Sequence, residues 1–265
     1  MSRIIDFHAH AFPDQLAAKS IPILAEKADI TAVLDGTITS LLQSMDRAHI
    51  DTSVVASIAT RPAQFDAILT WSKEIRSRRI EPFLSFHPEN PDMLTCIEKI
   101  RDEGFKGIKL HPYYQEFAVD EKRLFPAYEK IADLGLILLM HSGFDIGFPH
   151  SRIADPVRTA RVIKAFPELK LIAAHMGGWQ LWDEVREFLV GKNVYLDVAY
   201  CLEFLTADEA RDIIFNHPDD RILFGSDTPW ADQQGEIARL TNLNLGEKLE
   251  KRILGENGAE LLKSV

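Results

Sequence analysis

The stretch RIIDFHAH, residues 3–10, joins a short apolar run to two histidines at its end. In an extended strand, successive side chains point to opposite faces, so residues two apart share a face. Asp6, His8 and His10 are therefore expected to project the same way, with both imidazoles at the carboxyl end of the strand. Two imidazoles on one face are costly without a shared partner, so the pair favours a common ligand.

Seven further apolar segments follow, and stretches with the periodicity of amphipathic helices separate them. The predicted strands are residues 3–8, 52–58, 80–86, 106–110, 136–140, 169–174, 193–199 and 221–225. Two of the predicted helices, residues 93–104 and 123–135, end on a glycine, as many helices do. Short apolar strands that alternate with helices predict a parallel sheet covered on its outer face.

Eight such units in 265 residues predict the α/β class and a (β/α)8 TIM barrel, with a single domain over residues 1–265. A doubly wound open sheet is the alternative. Two connections are longer than a barrel needs: residues 11–50 after the first strand and residues 142–155 after the fifth. Both begin at the strand ends where such barrels carry their active sites, so each is either a pocket-forming insertion or a plain surface insertion.

The composition excludes several classes of function. The chain has 40 acidic and 30 basic residues, and this net charge of −10 disfavours a nucleic-acid partner. No apolar stretch approaches the ~20 residues that span a bilayer, and no secretory signal is recognisable. We therefore predict a cytoplasmic protein that binds a small-molecule substrate and neither nucleic acid nor membrane. The sequence leaves a homo-oligomer open. Cys96 and Cys201 are expected to be free thiols.

Histidines are concentrated at the predicted strand ends. Of the nine in the chain, six lie at or just past such an end: His8, His10, His87, His111, His141 and His175. Asp227 ends the eighth strand and adds a carboxylate to the same rim. Imidazoles with one carboxylate suit Zn²⁺, and also Mn²⁺ or Fe²⁺. We expect one divalent ion, with Zn²⁺ as the preferred metal. We also expect an open coordination position at which bound water becomes a nucleophile.

Five motifs in a fixed order resemble the amidohydrolase superfamily, in particular the amidohydrolase-related branch that includes aminocarboxymuconate-semialdehyde decarboxylase. They are DFHAH (6–10), GIKLHP (107–112), LMHSG (139–143), AHMGG (174–178) and FGSDTPW (224–230). The tail ILGENGAELL (253–262) is similar to the C-terminal helix of that branch, so the resemblance runs along nearly the whole chain.

The resemblance implies a metal at the carboxyl ends of the barrel strands. It implies that His8, His10, His141 and Asp227 bind the metal, with His175 beside it as an acid–base or carbonyl-polarising group. In binuclear members of the superfamily, the fourth strand provides a carboxylated lysine that bridges two metals. Lys109 stands on that strand here, and because the related branch is usually mononuclear we expect one metal.

Two reactions suit such a site. The first hypothesis is a metal-dependent hydrolase, in which Asp227 takes a proton from metal-activated water that attacks an ester, lactone or amide carbonyl polarised by His175. The second is a decarboxylase, a C–C lyase of an aromatic or unsaturated carboxylic acid. A third hypothesis, from another class, is a barrel that binds a ligand without catalysis. Residues expected to contact a substrate, or alternatively to serve the structure, are Lys109, His111, Tyr113, Arg61, Arg152 and Trp230.

Overall fold

The computed structural model describes residues 3–265, so Met1 and Ser2 of the predicted domain lie outside the described residues. All eight predicted strands are present, and every strand pair is parallel. They are β1 (Ile5–Ala9), β2 (Thr52–Ala56), β3 (Ile80–Phe83), β4 (Gly107–Leu110), β5 (Ile137–Met140), β6 (Lys170–Ala173), β7 (Tyr195–Asp197) and β8 (Ile222–Leu223).

The strands close into a barrel in sequence order. Hydrogen bonds join neighbouring strands in the order β1-β2-β3 in one sheet and β4-β5-β6-β7-β8 in a second. Leu84, just after β3, bridges to Ile108 of β4, and Ala9 of β1 bridges to Thr228 after β8. These two bridges complete the ring, so the (β/α)8 prediction is confirmed and the open-sheet alternative is wrong.

Helices separate the strands and cover the outside of the barrel. They are α1 (Asp14–Ala28), α2 (Ile38–Ala48), α3 (Phe65–Ile75), α4 (Met93–Asp102), α5 (Phe125–Asp133), α6 (Pro156–Ala165), α7 (Trp182–Phe188), α8 (Ala207–Asn216), α9 (Gln233–Thr241), α10 (Glu247–Lys251) and α11 (Asn257–Lys263). Gly104 and Gly135 follow α4 and α5 with φ of +73° and +67°, the left-handed conformation that stops a helix. Among residues 3–265, no helix is both long and apolar enough to cross a bilayer.

A β-bulge interrupts β1 just where the histidines begin. Asp6 pairs with Ser53 and Ala9 pairs with Val55, so β1 has one residue more than β2 between the two pairs. An extra residue in one strand breaks the alternation of its side chains and bends the strand. The bulge therefore changes which side chains of β1 face the barrel interior.

Asp6 does not share a face with His8, because the bulge separates them. Its carboxylate accepts hydrogen bonds from the Ser226 hydroxyl (2.6 Å) and from Nε2 of Gln233 in α9 (2.7 Å). Phe7 packs inside the barrel instead, with its ring centroid 5.8 Å from that of Phe83. The expectation of a common face for Asp6 and His8 is wrong. Asp6 stabilises the junction of β1, β8 and α9, and its burial raises its pKa to about 6.

Candidate metal centre

The carboxyl ends of the barrel strands bring Asp227 and five of the six strand-end histidines together above the apolar interior, and His87 is not among the residues that line this site. His8 lies in β1 and His10 directly follows it, while His141 follows β5 and His175 follows β6. Asp227 follows β8. His175 and Asp227 have φ of 58° and 63°, in the left-handed region that non-glycine residues rarely adopt. His175 and Asp227 therefore lie at sharp bends of the backbone, and residues in such conformations cluster at functional sites.

Three of these residues form a compact group of metal-ligand type. His8 Nε2 lies 3.5 Å from Asp227 Oδ1, and His10 Nε2 lies 3.1 Å from the same oxygen. One ligand atom from each of the three residues lies within 4.8 Å of the other two. Two imidazoles and one carboxylate at this spacing match the donor set of Zn²⁺ and Mn²⁺ sites.

Four rim histidines have their outer ring nitrogen held by an acceptor. His8 Nδ1 contacts Asp197 Oδ2 at 3.0 Å, and the other three rings contact backbone oxygens. Those contacts are His10 Nδ1 to Ala56 at 2.8 Å, His141 Nε2 to Phe144 at 3.1 Å and His175 Nδ1 to Ala199 at 3.0 Å. Because a carbonyl or carboxylate oxygen only accepts, each outer nitrogen carries a hydrogen. Each neutral ring is left with a lone pair on its inner nitrogen.

Three of these inner lone pairs, those of His10, His141 and His175, face other acceptors, whereas that of His8 faces the Lys109 ammonium. His141 Nδ1 lies 3.1 Å from His175 Nε2, and His10 Nε2 lies 3.1 Å from the carboxylate of Asp227. Two acceptors that meet at this distance repel each other unless a proton or a metal ion lies between them. The four fixed imidazoles and the carboxylate therefore fit a divalent cation, with their outer contacts orienting the rings as in metal sites.

Burial favours the neutral form of the imidazoles that a metal requires. It lowers the pKa of His8 and of His141 well below the usual value, and the positive charge of Lys109 lowers both further. For Asp227, burial acts to raise the pKa, but the neighbouring His8 and His10 outweigh it and the pKa is lowered. The site therefore offers His8 and His141 as neutral imidazoles and Asp227 as an ionised carboxylate near neutral pH.

Lys109 lies directly beneath the group formed by His8, His10 and Asp227. Its Nζ is 3.0 Å from His8 Nε2, and its side chain is buried. Burial lowers its pKa to about 8. A metal ion on His8 Nε2 competes with this hydrogen bond, so Lys109 is positioned to respond to occupancy of the site.

Two carboxylates of the site were missed in the sequence. Asp197 at the end of β7 is fully buried, and its Oδ1 accepts from the backbone N–H of His175 at 2.8 Å while Oδ2 contacts His8. Asp145 Oδ2 lies 3.3 Å from His111 Nε2. An aspartate at the end of an apolar strand was a readable signal for Asp197, whereas Asp145 lies in a loop whose path the sequence does not reveal.

The predicted substrate-contact residues divide into two sets. Lys109, His111, Arg61 and Trp230 line a cavity of about 530 Å³ that opens above the histidines. Tyr113 and Arg152 are not among its lining residues. The Tyr113 hydroxyl donates to the backbone oxygen of Ser151 at 2.7 Å, and the Arg152 guanidinium pairs with Glu184 at 2.6 Å. Both side chains are therefore occupied in structural contacts.

Comparisons with known proteins support the resemblance that the sequence motifs indicate. The sequence model of a family described as Amidohydrolase matches residues 5–263. Among solved structures, an uncharacterised TIM-barrel protein from Bordetella bronchiseptica is similar over 99% of both chains, with 20% identity and a TM-score of 0.78. No curated protein sequence matched the chain.

Two further similar structures are named as decarboxylases. The 5-carboxyvanillate decarboxylase LigW from Sphingomonas paucimobilis aligns over 99% of both chains, with 14% identity and a TM-score of 0.72. A dihydroxybenzoic acid decarboxylase from Polaromonas sp. JS666, with bound manganese and the inhibitor 2-nitroresorcinol, aligns over 99% of this chain and 97% of its own, with 16% identity and a TM-score of 0.72. At these identities the likeness establishes the barrel fold.

Proposed function

The chain belongs to the amidohydrolase family, and from that premise we propose that it is a metal-dependent decarboxylase of a small aromatic carboxylic acid. The observation that carries the proposal is the two contacts at the cavity floor in which inner imidazole nitrogens face acceptors, an arrangement that a divalent cation would satisfy. The named activities of LigW and of the Polaromonas enzyme favour decarboxylation over the hydrolysis that the sequence put first. A non-catalytic barrel is the least supported of the three hypotheses.

The proposed ligands are His8, His10, His141 and Asp227. Mn²⁺ is supported by the manganese in the Polaromonas structure, and Zn²⁺ by the donor set. A divalent ion here supplies a positive charge that orients substrate oxygens and stabilises the negative charge of the transition state.

Substrate recognition requires a cation for the carboxylate, and Arg61 supplies it in this proposal. Its side chain lines the cavity, and it forms no ion pair with any carboxylate of residues 3–265. An unpaired guanidinium binds a carboxylate through two parallel N–H donors. Arg152 is already paired with Glu184 and is not assigned this role.

His175 is the proposed proton donor. Its Nδ1 hydrogen is held by the backbone oxygen of Ala199, so in this proposal the ring first takes up a second proton on Nε2, whose lone pair faces the cavity floor, and the resulting imidazolium donates that proton. When the bond between the ring carbon and the carboxyl carbon breaks, CO₂ leaves and the electron pair stays on the ring carbon. That carbon takes the Nε2 proton, and the neutral His175 is then reprotonated from solvent.

The first experiment measures metal content. Purified protein is expected to bind about one Mn²⁺ or Zn²⁺ per chain by elemental analysis, and the His8→Ala/His10→Ala double variant is expected to lose it. A content near two instead indicates a carboxylated Lys109 that bridges a second ion. No metal in the wild-type protein after incubation with Mn²⁺ and Zn²⁺ refutes the metal hypothesis.

The second experiment separates the two reactions. Metal-loaded protein is incubated with 2,6-dihydroxybenzoate, 5-carboxyvanillate and dihydrocoumarin, a lactone, while CO₂ release and acid release are recorded separately. CO₂ from an aromatic acid is expected. Acid release from the lactone, with no CO₂ from either acid, overturns the proposal in favour of hydrolysis. Arg61→Gln is expected to lower kcat/KM about 10- to 100-fold through the lost charged hydrogen bonds, while the matched Arg152→Gln leaves it unchanged.

A further inference from the structure

The cavity above the site has two chemically different parts. Its floor is polar and consists of Lys109, Asp227 and five histidines, namely His8, His10, His111, His141 and His175. Its outer wall is built by the two helices that follow the first two strands, and the side chains that α1 and α3 turn into it are mostly apolar. On α1 these include Leu16, Ile23 and Leu24, and on α3 they include Ile68 and Trp71.

The outer wall leaves apolar side chains uncovered. Leu16 is 47% exposed, Ile23 is 63% exposed, and Ile146 in the loop after β5 is 39% exposed. Single exposed apolar residues need no explanation, but these three border one cavity, and it continues inward to the metal centre. Ligand sites typically combine such an apolar lining with a few convergent polar groups.

The size of the cavity indicates a substrate larger than a single ring. At about 530 Å³, it lies within the range of roughly 300–1,000 Å³ that encloses drug-sized ligands. A dihydroxybenzoate bound by its oxygens at the floor leaves the space between α1 and α3 to water. Water against Leu24, Ile68 and Trp71 is unfavourable, and an apolar substituent that displaces it gains affinity.

We propose that the substrate is an aromatic acid with an alkyl or aryl substituent, which lies between α1 and α3 while the acidic end of the ring lies at the floor. This inference rests on the proposed function and specifies its substrate class. The same apolar wall continues inward to the partly buried Leu24, Ile68 and Trp71, which lie between the rim and the polar floor. A flexible small molecule reaches that space, whereas a second copy of the chain covers only the rim.

The test compares 2,6-dihydroxybenzoate with the same acid carrying a pentyl chain at ring carbon 4, on Mn²⁺-loaded protein. Each methylene moved from water into an apolar site multiplies affinity about fourfold, so half-burial of the chain makes binding about 30-fold tighter. Dissociation constants are measured by calorimetry, and CO₂ release is recorded in parallel. Equal affinity for the two acids overturns the inference.

Matched variants locate the effect. Leu16→Ser/Ile23→Ser changes two exposed positions and is expected to remove most of the advantage of the pentyl acid. Phe215→Ser on α8, a 56% exposed residue outside the cavity lining, is expected to preserve it. An advantage that survives in the double variant overturns the inference. The inference is also overturned if light scattering shows a wild-type dimer that the Leu16→Ser/Ile23→Ser substitutions dissociate. The outer wall is then an interface between two copies of the chain.

The two proposals fail in distinguishable ways. Tighter binding of the pentyl acid without CO₂ from either acid refutes decarboxylation and supports the apolar subsite. CO₂ from 2,6-dihydroxybenzoate without tighter binding of the pentyl acid supports decarboxylation and refutes the subsite.

Discussion

Replacement of Asp197 by asparagine tests whether the fixed imidazoles form a metal site. Asp197 is fully buried, and its Oδ2 accepts the Nδ1 hydrogen of His8 at 3.0 Å. Its Oδ1 accepts from the backbone N–H groups of His175 (2.8 Å) and Ala199 (3.1 Å), and the Asn oxygen preserves both contacts. The Asn N–H₂ group then faces His8 Nδ1 and forces that nitrogen to accept. The hydrogen of His8 moves to Nε2, the atom proposed to bind the metal.

The expected loss follows from this change of tautomer. Replacing an outer partner of a metal-bound histidine typically weakens metal binding 10- to 100-fold. This corresponds to about 1.4–2.7 kcal/mol at 25 °C, since each tenfold change in affinity is about 1.4 kcal/mol. A merely structural Asp197 predicts a lower free energy of unfolding with no specific loss of metal affinity.

The assay is calorimetric titration of the metal-free protein with Mn²⁺ and with Zn²⁺. Asp6→Asn is the matched control, because Asp6 is equally buried and hydrogen-bonded on the same barrel but contacts no ring nitrogen. We expect its metal affinity to change by less than about threefold. Undiminished affinity in Asp197→Asn refutes the reasoning, and an equal loss in both variants attributes the effect to general loosening of the barrel.

Three further predictions concern stability. Burial raises the pKa of Glu236 from 4.5 to about 8, so the native state loses stability as the pH rises from about 4.5 to about 8. Glu236→Gln is expected to raise the free energy of unfolding, measured in urea, by roughly 3–5 kcal/mol at pH 9 and by less than about 1 kcal/mol at pH 5. An equal gain at both pH values contradicts this. A Cβ added at Gly255 would lie 1.7 Å from the backbone oxygen of Arg3, so Gly255→Ala is expected to lower the free energy of unfolding by about 3 kcal/mol. As the control, Gly235→Ala in α9 places a Cβ with no heavy atom closer than 3.5 Å, and it is expected to be neutral or slightly stabilising. Mn²⁺ at 100 times its Kd is expected to add about 2.7 kcal/mol and to raise Tm by roughly 5–10 °C, and an unchanged Tm argues against binding to the native state.

The barrel was predictable because its information is local. Apolar runs, amphipathic helices and the glycines after α4 and α5 each have a signature within about a dozen residues. The end of β8 was not predictable in this way. The sequence predicted a strand over residues 221–225, but β8 ends at Leu223, because the Phe224 N–H donates to the backbone oxygen of Ile253 at 2.9 Å. That partner belongs to the C-terminal segment, and no pattern within the strand reveals it.

Most residues of the candidate site were predictable, with Asp145 and Asp197 as the exceptions, but their orientation was not. Strand ends identified the rim, and the structure brings His8, His10 and Asp227 within reach of one ion, while their role as ligands stays a prediction. The bulge in β1 turned Asp6 away, and alternation alone does not predict an extra residue in a ladder. Loop paths separated Arg61 from Arg152, which look alike in the sequence but differ in their ion pairing.

Closure of the barrel between β1 and the segment after β8 has a consequence for biosynthesis. The N–H of Phe7 donates to the oxygen of Phe224, and that of Asp227 donates to the oxygen of His8, so the first strand acquires its second neighbour only when the last has emerged. At 5–20 residues per second, the nascent chain carries β1 with one open edge for roughly 10–40 s. An unpaired apolar edge is a template for intermolecular strand pairing. Slower translation of the last quarter of the chain, or its truncation, is therefore expected to send the protein towards aggregates before it acquires metal.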